Sequence, residues 1–205
     1  MNAPPLLPWR IVLGSASPRR RQLLEGLELP LRVAPLDVDE TPPAELALDE
    51  VAEHLAVRKA AAYTPALAAD EVLLTADTTV LLDDPTGAGT SLLLNKPTDD
   101  ADARRMLGLL SGRTHRVVTG VCLRSTDRVI RFSDVARVTF RSLEPGEIAY
   151  YVERHHPLDK AGAYGVQDWI GYTAVARIEG SFYTVMGLPM HRVYLALRDL
   201  APSRP

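Results

Sequence analysis

Apolar residues recur along this chain in two rhythms. Short runs rich in apolar residues at 11–13, 31–36, 72–76, 80–82 and 92–94 read as strands. Between them, apolar positions return every three to four residues, as on one face of a helix. Ser17-Pro18 marks a first helix start, cap followed by proline. A second helix spans 49–63 with Val51, Leu55 and Ala62 on its apolar side, and Lys59 points the same way. A third begins at the cap Asp99, carries Asp102 at the fourth position and the stripe Ala103, Met106, Leu107 and Leu110, and stops at Gly112. Residues 115–124 and 129–141 read as paired strands; Ile130, Phe132, Ala136, Val138 and Phe140 share one face. A helix over 145–153 follows, then a glycine-rich loop at 159–167. Residues 174–178 and 182–185 read as a hairpin across Glu179-Gly180. The last helix starts at 187–189 and aligns Val193, Leu197 and Leu200. Strands alternating with helices, with hairpins mixed in, predict an α/β fold with a mixed sheet flanked by helices.

Size and charge narrow the classes. The chain has 205 residues, enough to bury roughly 70% of its extended surface. That length allows one large domain or two small lobes, and the Pro-rich ends, 1–8 and 201–205, read as flexible tails. Apolar content of 46% and charged content of 24% are ordinary for a globular protein. A net charge of −3 argues against a nucleic-acid polymer or a membrane surface as partner. Cys122 is the only cysteine, which rules out an internal disulfide and a cysteine-based zinc site. No run is long enough to cross a membrane, and the start lacks the apolar core of a signal peptide, so a cytoplasmic location is expected.

Several positions carry candidate chemistry. Gly14, Ser15, Ala16 and Ser17 join a strand to a helix start, where small residues let backbone approach a ligand and free N–H groups attract anions. Arg19, Arg20 and Arg21 fill that first turn although cations there oppose the helix dipole. A phosphate site and a solvated basic helix start both fit. Asp37, Asp39 and Glu40 lie in a Pro-rich loop that is either solvated or a divalent-metal site. Lys59 either snorkels to water or reaches into a site. Asp77 interrupts an apolar run, where a carboxylate is costly to bury without a partner or a metal, and this favours function. His155 and His156 are adjacent, cannot share a helix face, and read as a solvated helix end. Gly87-x-Gly89 lacks the third glycine of a dinucleotide fingerprint. Basic Arg19, Arg20, Lys59, Lys96 and Lys160 together with acidic Glu40 and Asp77 suit a nucleoside triphosphate with a divalent cation. The chain has no P-loop sequence.

The run Ser15-x-Ser17-Pro18-Arg19-Arg20-x-x-Leu23-Leu24 resembles the opening motif of the Maf family of nucleoside triphosphate pyrophosphatases. The likeness continues through Ala76-Asp77-Thr78, Lys96-Pro97, residues 103–112, the loop 159–167 and the segment 178–189, in order over nearly the whole chain, and implies a single domain over residues 9–200. It implies an elongated, ITPase-like α/β fold of two lobes around a groove, and metal-dependent hydrolysis of a nucleoside triphosphate to the monophosphate and pyrophosphate. By the same resemblance Asp77 is the catalytic carboxylate, with Glu40 its partner in holding Mg²⁺ or Mn²⁺. Ser15, Arg20, Lys59 and Lys96 bind the triphosphate, with Lys160 beside them as a further cation. Arg19, Thr78 and Gln167 set base specificity, and the Gly-Ala-Tyr-Gly-x-Gln form resembles the dTTP/UTP branch. The loop 84–91 is longer than is common, Asn95 precedes the lysine, and Asp168-Trp169 follow Gln167 where a glycine is more usual. Two other readings are a house-cleaning pyrophosphatase for modified nucleotides and a nucleotide-binding regulator of septum formation without turnover. A homodimer is compatible with all three.

Overall fold

The computed structural model describes residues 7–84 and 91–201. The expected tails (except residues 7, 8 and 201) and most of the long loop after Asp84 lie outside them. Among the described residues, seven strands form one mixed sheet and seven α-helices accompany it. The strands are β1 (Arg10–Leu13), β2 (Leu31–Val33), β3 (Glu71–Leu82), β4 (Leu92–Leu94), β5 (Thr114–Arg124), β6 (Val129–Phe140) and β7 (Val175–Glu179). Their order is β2-β1-β3-β5-β6-β7, with β4 also on β3. The chain divides into two compact units. One holds the described residues of Met1–Asp77, Thr119–Asp134 and Gly187–Pro205; the other holds those of Thr78–Val118 and Val135–Met186.

In the first unit β1 runs parallel to β2 and to β3, pairing Ile11 with Leu31 and with Val72. Parallel strands covered on both faces need apolar residues throughout, and Val72, Leu73, Leu74 and Ala76 are fully buried. Helix α1 (Pro18–Glu25) starts at Ser17, whose hydroxyl accepts the Arg20 N–H at 3.4 Å. A short 3₁₀ turn, Leu48–Glu50, leads into α2 (Val51–Ala62). Its buried face is Val51, Ala52, Leu55, Ala56, Lys59 and Ala60; Ala62 is exposed, contrary to the predicted stripe. Ala56 and Ala60 pack with Val12, Leu73 and Cys122. Gly120 lets β5 meet this helix, because a Cβ there would lie 2.2 Å from Ala52 C and Glu53 N. On the other side of the sheet α7 (Met190–Leu200) buries Val193, Ala196, Leu197 and Leu200 against Ile11, Leu13, Val72 and Leu74. Each such side chain contributes about 1.5–3 kcal/mol on burial. The Trp9 indole donates to Leu197 O at 2.8 Å, holding this helix by its last turn.

In the second unit β4 pairs antiparallel with the end of β3, Val80 opposite Leu94. Helix α3 (Asp100–Leu110) is capped by Asp99, which accepts the Asp102 N–H at 2.8 Å, and buries the predicted stripe. Helix α4 (Pro145–His155) opens with a reciprocal Glu144–Glu147 capping box and runs past the predicted Glu153. The predicted hairpin is not formed. Residues 175–179 are β7, which pairs with β6, Val138 opposite Ile178. Residues Phe182–Met186 instead form a helical turn, α6, with the Thr184 N–H bonded to Ser181 O at 3.1 Å. Gly180 has a φ of +110° and lies against β6, where a Cβ would be 2.9 Å from Val135 O. The chain therefore leaves the strand there, and a four-residue apolar alternation was too short to specify which edge it would use. Helix α5 (Trp169–Ala174) was not legible: Gly171 sits mid-helix, where a Cβ would overlap Val166 O.

Candidate active site

The strand β1 ends at Leu13, and Gly14 continues its pairing by donating its N–H to Leu74 O at 2.9 Å. The loop from Ser15 to Ser17 then turns into α1. The Ser15 hydroxyl accepts the Ser17 N–H at 3.2 Å and lies 3.5 Å from an Arg20 Nη1. Arg20 Nε donates to Gly187 O at 3.0 Å, so backbone just before α7 aims the guanidinium. The residue keeps some surface exposure, but its guanidinium is desolvated. That burial lowers its pKa, while Asp77 and Glu40 raise it and Arg19 lowers it. An arginine stays charged under such a shift.

Lys59 does not snorkel. It sits one helical turn after Leu55 on the buried face of α2 and is 7% exposed. Its ammonium lies 2.5 Å from Asp77 Oδ1 and 2.7 Å from Glu40 Oε1. Asp77, on β3, is buried; Glu40, on a loop, has a half-exposed side chain. Two acidic residues of that loop, Asp39 and Glu40, divide their work. Asp39 accepts the Thr41 N–H at 2.9 Å and the Arg58 Nη2 at 3.1 Å, while Arg58 Nη1 also holds Thr41 O. The Thr41 amide, and then Arg58, hold the Asp39 carboxyl below its ordinary value. Asp39 thus ties the loop to α2, and Glu40 turns to Lys59.

In this first unit the structure brings together Ser15, Arg20, Glu40, Lys59 and Asp77. Arg19 stands in the first turn of α1 and is close enough to affect Arg20 electrostatically. Thr78 follows Asp77 on β3 and belongs to the second unit, as do Lys96, Lys160 and Gln167. Lys96 is exposed after β4. The Gly162 N–H bonds to Asn95 O at 3.1 Å, tying the turn after Lys160 to the segment that carries Lys96. Lys160 Nζ contacts Asp159 Oδ1 at 2.7 Å and Asp168 Oδ2 at 3.8 Å. Gln167 Nε2 donates to Asp168 Oδ1 at 3.1 Å, while its Oε1 is buried without a hydrogen-bond partner. Tyr151 OH donates to Asp168 Oδ2 at 3.0 Å and accepts the Gly165 N–H at 3.2 Å. Sequence reasoning missed the parts that Tyr151 and Asp168 play here. Tyr151 falls on the apolar face of α4 and reads as core; Asp168 stood out only as a departure from the usual glycine.

A serine hydroxyl at a strand-to-helix turn, an oriented guanidinium and an ammonium shared by two carboxylates together suit a phosphorylated anion. The chain belongs to the family of Maf-like proteins, whose model matches residues 10–200. It is 49% identical over 95% of its length to a protein of Porphyromonas gingivalis named dTTP/UTP pyrophosphatase, 96% of which is covered. Proteins of the same name from Phocaeicola vulgatus (45% identical, 94% of this chain and 96% of the relative) and Flavobacterium johnsoniae (40%, 94% and 95%) are similar throughout. Among the described residues no helix is long and apolar enough to cross a membrane.

Proposed function

We propose that this chain hydrolyses nucleoside triphosphates to the monophosphate and pyrophosphate, with dTTP and UTP favoured, in a reaction that needs Mg²⁺ or Mn²⁺. The observation that carries the reading is the pair of carboxylates, Asp77 and Glu40, converging on the buried Lys59 ammonium. The names of the relatives support the reaction and the bases.

The donor set fits a hard cation. Asp77 and Glu40 offer carboxylate oxygens on one point, which a cation can take instead of an ammonium. Among the described residues no three His, Cys, Asp or Glu side chains gather. Magnesium commonly needs only one or two carboxylates, with water and substrate phosphates completing its shell. The chemistry such a cation supplies is neutralisation of phosphate oxygens and acidification of a bound water.

The chain's own residues do the rest. Asp77 accepts the proton of the attacking water as its oxygen bonds to the α-phosphorus, and such a base is worth typically about 10²–10⁴-fold. The bond from that phosphorus to the bridging oxygen breaks, and pyrophosphate leaves with the electron pair. Without nucleotide and cation, Lys59 keeps the two carboxylates convergent. Ser15, Arg20, Lys59, Lys96 and Lys160 bind phosphate oxygens and stabilise charge on the leaving group. Gln167, with Arg19 and Thr78, selects the base.

The test is product analysis from UTP with and without Mg²⁺. UMP and pyrophosphate, lost in excess EDTA, are expected. UDP with orthophosphate, or full activity in EDTA, sinks the reading.

A further inference from the structure

Gln167 carries one of three buried side-chain polar atoms without a partner among the described residues, its Oε1. The same amide's nitrogen is engaged, donating to Asp168 Oδ1 at 3.1 Å. We propose that Asp168 is a positioning residue that fixes the amide of Gln167 in one orientation, so that the pocket offers the base an acceptor and rejects cytosine. The proposal rests on Gln167 being the base-reading residue.

A free primary amide cannot separate uracil from cytosine. It offers one acceptor and donors on the same small group, and a half-turn about its last bond exchanges them. Uracil and thymine present a ring N–H; cytosine presents a bare ring nitrogen at that place. An amide able to turn would follow either base. Next to a carboxylate the two orientations differ. With Nε2 toward Asp168 there is a charge-assisted hydrogen bond; with Oε1 toward Asp168 two acceptors face each other with no hydrogen between them.

The surroundings hold Asp168 still. Its Oδ2 accepts Tyr151 OH at 3.0 Å, and Tyr151 is wholly buried and itself accepts the Gly165 N–H. Lys160 Nζ lies 3.8 Å from the same oxygen, which keeps a cation beside the carboxylate. Both side chains of the pair fold over Gly165. A Cβ there would stand 2.5 Å from Asp168 Oδ2 and 2.9 Å from Gln167 Nε2. With one Nε2 hydrogen and the carboxylate engaged, the orphaned Oε1 is the acceptor left for the ligand. A ring N–H satisfies it. Cytosine leaves two acceptors opposed in a desolvated place, a mismatch sites discriminate strongly. Guanine also carries a ring N–H, so this atom sorts uracil and thymine from cytosine and not from guanine.

The experiment measures kcat/KM for UTP and CTP in wild type, Asp168→Asn, Tyr151→Phe, Gln167→Ala and the double variant Asp168→Asn/Gln167→Ala. An asparagine keeps the shape of Asp168 but offers either an acceptor or a donor, so the glutamine amide is free to turn. The UTP-to-CTP ratio should fall about tenfold or more in Asp168→Asn, as expected for a hydrogen bond to a charged group. Tyr151→Phe should move it the same way by less, and it carries the test should Asp168→Asn fail to fold. In the Gln167→Ala background Asp168→Asn should change the ratio no further. If Gln167→Ala itself leaves the ratio unchanged, the base-reading role falls and the lock with it. If Gln167→Ala shifts the ratio but Asp168→Asn and Tyr151→Phe do not, the lock is overturned and the base-reading role stands. An equal shift from Asp168→Asn in both backgrounds also overturns it, since Asp168 would then act without Gln167.

Discussion

Replacing Lys59 with methionine separates the electrostatic role of this side chain from its packing. The methionine keeps the apolar stem that runs along the buried face of α2 and removes only the ammonium. Asp77, with a side chain 12% exposed, then loses the cation 2.5 Å away. Breaking a buried pair from one side costs about 3–5 kcal/mol, because the remaining charge is left uncompensated. Glu40 adds little, since its side chain is 41% exposed and water replaces most of what an exposed pair contributes, about 0–1 kcal/mol. Asp77 keeps the longer-range attraction of Arg20, so the lower end, about 3 kcal/mol, is expected. For a chain of this size that is a fall in Tm of about 6–12 °C. The assay is urea unfolding without nucleotide or metal, in wild type, Lys59→Met, Asp77→Asn and the double variant. Asp77→Asn leaves no buried carboxylate to compensate, so Lys59→Met in that background should cost less than about 1 kcal/mol, a coupling of about 2 kcal/mol or more. A loss below about 1 kcal/mol in the wild-type background, or equal losses in both, would refute the argument that this lysine exists in the fold as the counter-ion of Asp77.

Three other outcomes follow from particular groups. Asp77→Asn should lower kcat for UTP by about 10²-fold or more in steady-state assays of pyrophosphate release; an unchanged kcat would move the base elsewhere, with Glu40 next. His115, buried between Phe140 and Tyr164 with its Nε2 2.7 Å from Tyr164 OH, has its pKa lowered by burial to about 3. Unfolding frees it to take a proton below its ordinary value of 6.5. Stability should therefore fall as pH drops from 6.5 toward 3, and the difference between wild type and His115→Phe should slope by about 1.4 kcal/mol per pH unit there; parallel curves would contradict this. The Glu147 carboxyl is held down to about 2 by Arg141 and then by the Glu144 amide. Its contribution is present above the ordinary value of 4.5 and lost as pH falls toward 2, so Glu147→Gln should flatten the acid limb of a thermal-melt series in that window.

Elements whose signal is local were legible from the residues alone. Helix α3 announces itself by Asp99, Asp102 and four apolar residues on one face, because capping and periodicity act within a few residues of one another. The apolar runs 72–76 and 80–82 likewise specify strand, but that β3 passes unbroken through Asp77, from Glu71 to Leu82, was left to the structure. Asp77 was legible as a carboxylate in need of a partner for the same reason, and the partner is Lys59. What the sequence left open was decided by contacts between residues distant along the chain. Whether Lys59 snorkels or turns inward depends on Asp77, 18 residues away, and on Glu40 arriving from a loop that Asp39 and Arg58 tie down. The segment after Glu179 leaves the sheet where Gly180, at a φ of +110°, packs against β6, and closes as a helical turn through the Thr184 N–H to Ser181 O bond. The orientation of the Gln167 amide is invisible in the order Gly-Val-Gln-Asp. It is decided by Asp168, which Tyr151 of α4 holds in place, and that meeting exists only once the chain has folded.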